Sequence, residues 1–234
     1  MTTDVRPYER EPTGTHAPLA SAAYRSTGRR APQAPPVPLR QTLTEVTAPV
    51  FPEGSIDPGE ADLTRRYDGE PVGERIIVTG RVLDDRGEPV ANSLVEIWQA
   101  NAAGRYAHPV DTHPAPLDPN FTGCGRCLTD RNGRWRFSTI KPGAYPWKNA
   151  PNAWRPAHIH FSVLGPALAT RLVTQMYFPG DPLLEHDAIL NAVPAPARPR
   201  LVAGFDFDVT EPEWALGYRW DIVLRGRHST PGGM

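Results

Sequence analysis

His158 and His160 stand two residues apart in the run Trp154-Arg155-Pro156-Ala157-His158-Ile159-His160-Phe161. The run is strand-like, and a strand turns successive side chains to opposite faces, so both imidazoles project from one face while Ile159 and Phe161 point the other way. Two imidazoles side by side make half of a metal site. The same pattern also serves polar positions on the wet face of a half-buried strand, so the rest of the chain has to decide. Upstream, Tyr106 follows Asn101-Ala102-Ala103-Gly104-Arg105, and Tyr145 follows Lys141-Pro142-Gly143-Ala144. A phenolate is a hard anionic ligand, and two of them with two neutral imidazoles suit a small, highly charged ion such as ferric iron better than a soft or divalent one. Spacing alone does not collect these residues, because a loop tyrosine more often packs with its hydroxyl hydrogen-bonded.

The elements that must position them read as strands and turns from Arg75 onward. Ile76, Ile77, Val78 and Val82 form a first strand, and Asp84-Asp85-Arg86-Gly87 is a turn in which Gly supplies a positive φ. Leu94 to Gln99 follows, with Val95 and Ile97 opposed to Glu96 and Trp98. Arg131-Asn132-Gly133 carries a strong hairpin signal and predicts that Arg126–Thr129 pairs with Trp135–Phe137. The His158 strand, Arg171 to Phe178, Phe205 to Val209 and Tyr218 to Leu224 complete about eight strands, and no helix longer than a turn or two is signalled. The expected fold is all-β, a β-sandwich with long loops.

Residues 1–73 differ in character. Prolines at 7, 12, 18, 32, 35, 36, 38, 49, 52 and 58 break helical and strand periodicity and predict an extended arm. Its apolar positions Leu39, Leu43, Val46, Val50 and Phe51 favour draping over the domain, residues 74–234, or over a neighbouring subunit.

Composition bounds the function. With Lys+Arg 25 against Asp+Glu 26, a formal net charge of −1 gives no electrostatic case for nucleic acid or an anionic membrane. Met1 to Glu11 is charged where a signal peptide is apolar, and no apolar run is long enough to span a bilayer, so the expected compartment is the cytoplasm. Cys124 and Cys127 supply half of a structural zinc site with no second pair, and their flanks lack a βαβ context for redox chemistry. They read as two reduced thiols. His16, His108, His113, His186 and His228 read as solvated.

The run from Gly80 to Gly226 resembles the β subunits of the intradiol ring-cleaving dioxygenases. The matching segments are Leu94–Asn101, Ala115–Phe121, Gly125–Asp130, Thr139–Gly143 with Tyr145-Pro146-Trp147, Trp154–Phe161, Thr174–Phe178 with Gly180-Asp181-Pro182, and Tyr218 with Asp221–Gly226. The resemblance implies one non-haem Fe(III) per β chain, held by Tyr106, Tyr145, His158 and His160, with Tyr145 and His160 axial and Tyr106 and His158 equatorial. It implies a catecholic substrate, protocatechuate, cleaved with O2 between its two hydroxyl-bearing carbons to a cis,cis-muconate in aromatic-compound catabolism. Tyr145 would then be displaced from the metal and take up a substrate proton. No external reductant or organic cofactor enters, in keeping with the lack of a dinucleotide fingerprint.

The resemblance assigns further residues. Arg155, three positions before His158, would set a fixed positive charge against a carbanion-like substrate. Gln175 would orient a ligand or the substrate by a hydrogen bond. Trp147 and Ile189 correspond to pocket walls, and Tyr24 to a tyrosine at the substrate end of the pocket. A related α subunit that lacks the ligands would complete a hetero-oligomer. Two alternatives stand beside this reading. One is a catechol or hydroxyquinol 1,2-dioxygenase, whose helical dimerisation region the prolines before Glu74 oppose. The other is a prealbumin-like binding module, which shares the Gly80–Val90 opening and has no use for paired tyrosines and histidines.

Overall fold

Nine consecutive residues, Arg75–Leu83, form strand β1, and their nearly unbroken burial marks a strand covered on both faces. The computed structural model describes residues 14–35, 37, 51–52, 54–165 and 171–233. Ten more strands follow β1 among them: β2 Leu94–Trp98, β3 Cys124–Leu128, β4 Arg134–Ile140, β5 Tyr145–Trp147, β6 Ala153–Arg155, β7 His158–Leu164, β8 Leu172–Tyr177, β9 Gly204–Phe205, β10 Leu216–Arg219 and β11 Ile222–Val223. Among the described residues the α-helices are single turns, α1 Thr27–Arg30 and α2 Ala188–Ala192.

Two sheets carry the fold. In the first, β4 runs antiparallel to β1, while β10 and β11 run parallel to its successive halves and β9 closes the edge beside β10. The second is antiparallel throughout, in the order β3-β2-β7-β8. Val78, Val82, Trp135 and Phe137 from the first sheet meet Val95, Ile97, Phe161 and Val163 from the second in one core. Phe161 sits edge-on to Trp135 and Trp220, with ring centroids 5.2 and 4.9 Å apart. The all-β sandwich expected from the sequence is therefore present, with eleven strands among the described residues in place of about eight because several are only two or three residues long.

Three local expectations are corrected. Asn132-Gly133 does not close a hairpin: β3 pairs with β2 and β4 with β1, so the turn carries the chain from one sheet to the other. Only Gly133 has a positive φ, and the Asp130 carboxylate accepts from the N–H groups of Asn132 and Arg134, the geometry of a capped turn. The expected strand Tyr218–Leu224 breaks at Trp220-Asp221, where Asp221 accepts from the Arg81 N–H in place of a backbone carbonyl. Phe205 to Val209 is strand only as far as Phe205, after which Asp206 accepts from the Asp208 N–H and turns the chain.

Part of the N-terminal arm is integral to the domain. Leu63, in a 3₁₀ turn at Leu63–Arg65, is 1% exposed and belongs to the core. Farther upstream, the Gly232 N–H donates to His16 Nδ1 at 2.8 Å, and Thr27 Oγ1 binds the backbone of Ser21 and Tyr24. Phe51 is half-buried. Leu39, Leu43, Val46 and Val50 lie outside the described residues.

Candidate active site

The second sheet turns Ile159, Phe161 and Val163 into the core, so strand alternation puts His158 and His160 on its outer face. Register then decides their neighbours. Trp98 of β2 and Gln175 of β8 both pair with His160, and Tyr177 of β8 pairs with His158. Trp98 stacks on the His160 ring. His158 Nδ1 lies 2.7 Å from the Pro156 carbonyl, which accepts only, so Nδ1 carries the proton and Nε2 presents its lone pair.

The two tyrosines arrive on loops that cross. Asn101 Oδ1 accepts from the N–H groups of Ala103 and Arg105, and Asp111 accepts from the Tyr106 N–H at 2.8 Å. Arg105 ties the far end of this loop by donating to the carbonyls of His113 and Ala115. The Tyr145 loop passes directly over it: the Gly143 N–H donates to the Asn101 carbonyl, and a Cβ on Gly104 would fall 2.1 Å from the Ala144 carbonyl oxygen. Gly104, at φ +76°, is what lets the loops touch and brings the rings of Tyr106 and Tyr145 edge to face at 5.5 Å.

The four expected residues converge. Tyr106 Oη is 3.1 Å from His160 Nε2, Tyr145 Oη is 3.4 Å from His158 Nε2, and the two imidazole centroids are 4.9 Å apart. Burial, reinforced by the Arg155 charge, pulls the His160 pKa down to about 3, and burial, Arg155 and His160 together hold His158 well below the usual imidazole range. Burial and the neighbouring Tyr145 push Tyr106 well above an ordinary phenol. Two neutral imidazole nitrogens and two phenol oxygens thus face one another. A small, hard, highly charged cation fits this donor set, since phenolate oxygens and neutral imidazole nitrogens are the donors such an ion takes. Among the described residues no group of three or more His, Cys, Asp or Glu side chains is placed to hold a metal. Trp98, Tyr106, Tyr145, Trp147 and His160 line a cleft of about 640 Å³, predominantly apolar and large enough for an aromatic ring.

Arg155 is brought to the cluster by the β5–β6 ribbon, in which it pairs with Tyr145. It is 2% exposed, and its Nη1 lies 3.1 Å from His158 Nε2. Burial pulls its pKa down, but Tyr177 and Asp187 outweigh that and raise it overall, so the guanidinium stays charged. Gln175 Oε1 accepts from Arg155 Nη2 at 2.6 Å, so Gln175 lies behind the cluster against Arg155. Sequence reasoning missed Asp187, which forms a buried ion pair with Arg155, and Tyr177, whose hydroxyl bridges them. Asp187 sits between the 3₁₀ turn Pro182–His186 and helix α2, where an acid reads simply as a helix cap. Trp147 stands on the cleft wall, and Tyr24 packs against it at 5.1 Å. Ile189 and Tyr24 line a second, smaller cavity of about 160 Å³ beside it.

His108, His186 and His228 are exposed, as expected. His113 and His16 are not: His113 packs edge-on to Trp154 at 6.3 Å, and His16 binds Gly232. Cys124 and Cys127 are both free thiols, and burial pushes the Cys127 pKa up to about 12. Among the described residues no helix is long and apolar enough to cross a membrane.

A model of a dioxygenase family matches residues 46–226, and one of the protocatechuate 3,4-dioxygenase beta subunit N-terminal region matches residues 8–42. The chain is 58% identical over 219 residues to a protocatechuate 3,4-dioxygenase beta chain of Burkholderia cepacia, covering 93% of each chain. It is 32% identical over 165 residues to the protocatechuate 3,4-dioxygenase alpha chain of the same organism, covering 68% of this chain and 76% of that one. The crystal structure of 3-chlorocatechol 1,2-dioxygenase from Rhodococcus opacus 1CP superposes with a TM-score of 0.56 at 29% identity, over 78% of this chain and 71% of that one.

Proposed function

From the premise that the chain belongs to the protocatechuate 3,4-dioxygenase β-chain family of intradiol dioxygenases, we propose that it cleaves protocatechuate with O2 between the two hydroxyl-bearing carbons, giving 3-carboxy-cis,cis-muconate. Both oxygen atoms enter the product, so the reaction balances without an external reductant. The observation that carries the reading is the meeting of two phenol oxygens and two neutral imidazole nitrogens at the floor of an aromatic-walled cleft.

Tyr106, Tyr145, His158 and His160 would hold a single Fe(III). Bound there, ferric iron supplies Lewis acidity that draws density from a catecholate and leaves a ring carbon open to dioxygen. The protein does the rest. Tyr145 Oη, ionised while it holds the metal, would receive one of the two substrate protons, whereas the Tyr106 backbone is tied through Asp111 and Arg105. Pro156 and Trp98 fix the two imidazole planes. Arg155 turns its Nη1 edge to the cluster, where a positive charge stabilises a ring that becomes carbanion-like. Trp147 walls the cleft that would receive the ring, and Tyr24, packed on Trp147, and Ile189 would extend that wall from the adjoining cavity.

An α chain, to which this chain is itself related, would share the assembly, with residues 1–73 forming the arm that packs on the domain or on that partner. The deciding measurement is the visible spectrum of this chain co-expressed with its α partner, before and after anaerobic protocatechuate. A red-brown protein whose tyrosinate-to-iron band shifts with protocatechuate supports the reading. A coloured protein that answers only to catechol makes it a catechol 1,2-dioxygenase, and a colourless one that takes up no iron rejects both.

A further inference from the structure

A guanidinium offers five N–H donors in a rigid plane, and where most are spent decides where the rest point. In Arg155, Nε donates to Asp187 Oδ1 at 3.1 Å, and Nη2 faces Asp187 Oδ2 at 2.8 Å, Tyr177 Oη at 2.9 Å and Gln175 Oε1 at 2.6 Å. Only Nη1 is left, and it lies 3.1 Å from His158 Nε2 at the Tyr/His cluster. The Asp187 pair is fork on fork, the arrangement that fixes the plane of the group as well as its position. The Tyr177 hydroxyl accepts from Arg155 and donates to Asp187 Oδ2 at 2.8 Å, closing a ring of three polar groups. Arg155 and Asp187 are 2% and 1% exposed, so no water competes for these donors.

Asp187 also has a second duty. Its carboxylate caps helix α2, accepting from the Ile189 N–H at 3.3 Å, and Ile189 walls the small cavity beside Tyr24. One carboxylate is therefore tied both to the cation behind the cluster and to an apolar wall.

We propose that Asp187, locked by Tyr177, is the positioning residue that aims the Nη1 edge of Arg155 at the bound catecholic ring and sets the Ile189 wall in register with it. This rests on the proposed role of Arg155 in ring cleavage. Asp187 touches no ligand of the cluster and acts through Arg155 and helix α2 alone.

The test uses the iron-loaded complex with the α partner and the variants Asp187→Asn, Tyr177→Phe and Arg155→Gln. Asp187→Asn keeps a capping oxygen but loses the charge and one arm of the fork. Expected for it are full iron content, unchanged resting colour and retained anaerobic binding of protocatechuate, with kcat down by about 10- to 100-fold and KM nearly constant. Tyr177→Phe shifts kcat in the same direction by less. If both variants lower the melting temperature but leave kcat intact while Arg155→Gln reduces it, Asp187 is only a structural counter-ion and the inference falls. If Asp187→Asn does not fold, Tyr177→Phe carries the decision, and an unchanged kcat in it overturns the inference. Intact turnover in Arg155→Gln would instead remove the role proposed for Arg155 itself.

Discussion

Trp98 lies flat against His160, with ring centroids 4.9 Å apart and planes 4° from parallel. The pairing follows from the β2–β7 register, which sets the two residues directly opposite one another. An indole fixed on the sheet thereby fixes the plane of an imidazole that no backbone carbonyl holds. A stacked aromatic pair contributes about 1 kcal/mol beyond its buried area, so Trp98→Leu should weaken iron retention roughly fivefold. Metal analysis after graded chelator dialysis checks this, and iron retention equal to the parent would show that the stack orients nothing.

Gly104→Ala tests the crossing of the two tyrosine loops. Its Cβ would meet the Ala144 carbonyl oxygen at 2.1 Å, at a backbone φ of +76°. The expected loss is about 1–3 kcal/mol of stability together with most of the iron-dependent colour, because Tyr106 and Tyr145 are driven apart. Gly87→Ala is the control: its φ is +81° but nothing lies within 4 Å, so it should cost about 1 kcal/mol and leave the colour untouched. Thermal melts and visible spectra of the two variants separate general strain from damage at the site.

The two ligand classes should fail differently. Tyr145→Phe removes one phenol from a cluster whose other members keep their supports, and should retain part of the iron while slowing the association of protocatechuate about 10-fold or more. His158→Ala removes the donor held by Pro156 and should abolish iron binding. Stopped-flow binding and iron stoichiometry read these out, and a full iron complement in His158→Ala would mean that the ligand set is wrong.

The metal-free chain should lose stability in mild acid. Burial and Arg155 depress the folded pKa of His160 to about 3 and hold that of His158 well below its ordinary value, whereas the unfolded imidazoles titrate at about 6.5. Above that pH neither state binds the protons and the full stability is present. As pH falls below it the unfolded chain takes up protons that the folded one refuses, so stability drops, by up to about 1.4 kcal/mol per pH unit for each imidazole, until the folded groups titrate. Denaturant melts of the metal-free protein between neutral pH and pH 4 measure the slope, and a flat profile would show that the histidines are not held neutral.

Half of the site was legible in the sequence. Strand alternation alone sets His158 and His160 on one face, because a period of two leaves no other choice. The partnership of Tyr106 with Tyr145 was not legible from spacing, since it depends on one loop crossing another at Gly104, a tertiary contact that leaves only a glycine behind. Asp187 was hidden for a similar reason: its partner Arg155 is 32 residues away, on a strand that the periodicity does not connect to it. The Asn132-Gly133 signal failed in the opposite sense. It correctly marked a sharp turn, but turn chemistry does not say whether the flanking strands pair with each other or enter separate sheets.

The parallel pairing of β1 with β10 and β11 has a bearing on how the chain comes to be assembled. β1 is among the first strands to leave the ribosome, yet one of its edges has no partner until Leu216–Val223 has been made. Throughout that interval a long apolar strand stands with unpaired amides and carbonyls, the kind of template that neighbouring nascent chains extend into aggregates. Closing it requires contacts between residues as far apart as Arg81 and Asp221, a separation of 140 positions, which makes the search slow. Synthesis of this chain therefore carries a window of vulnerability whose length is set by topology.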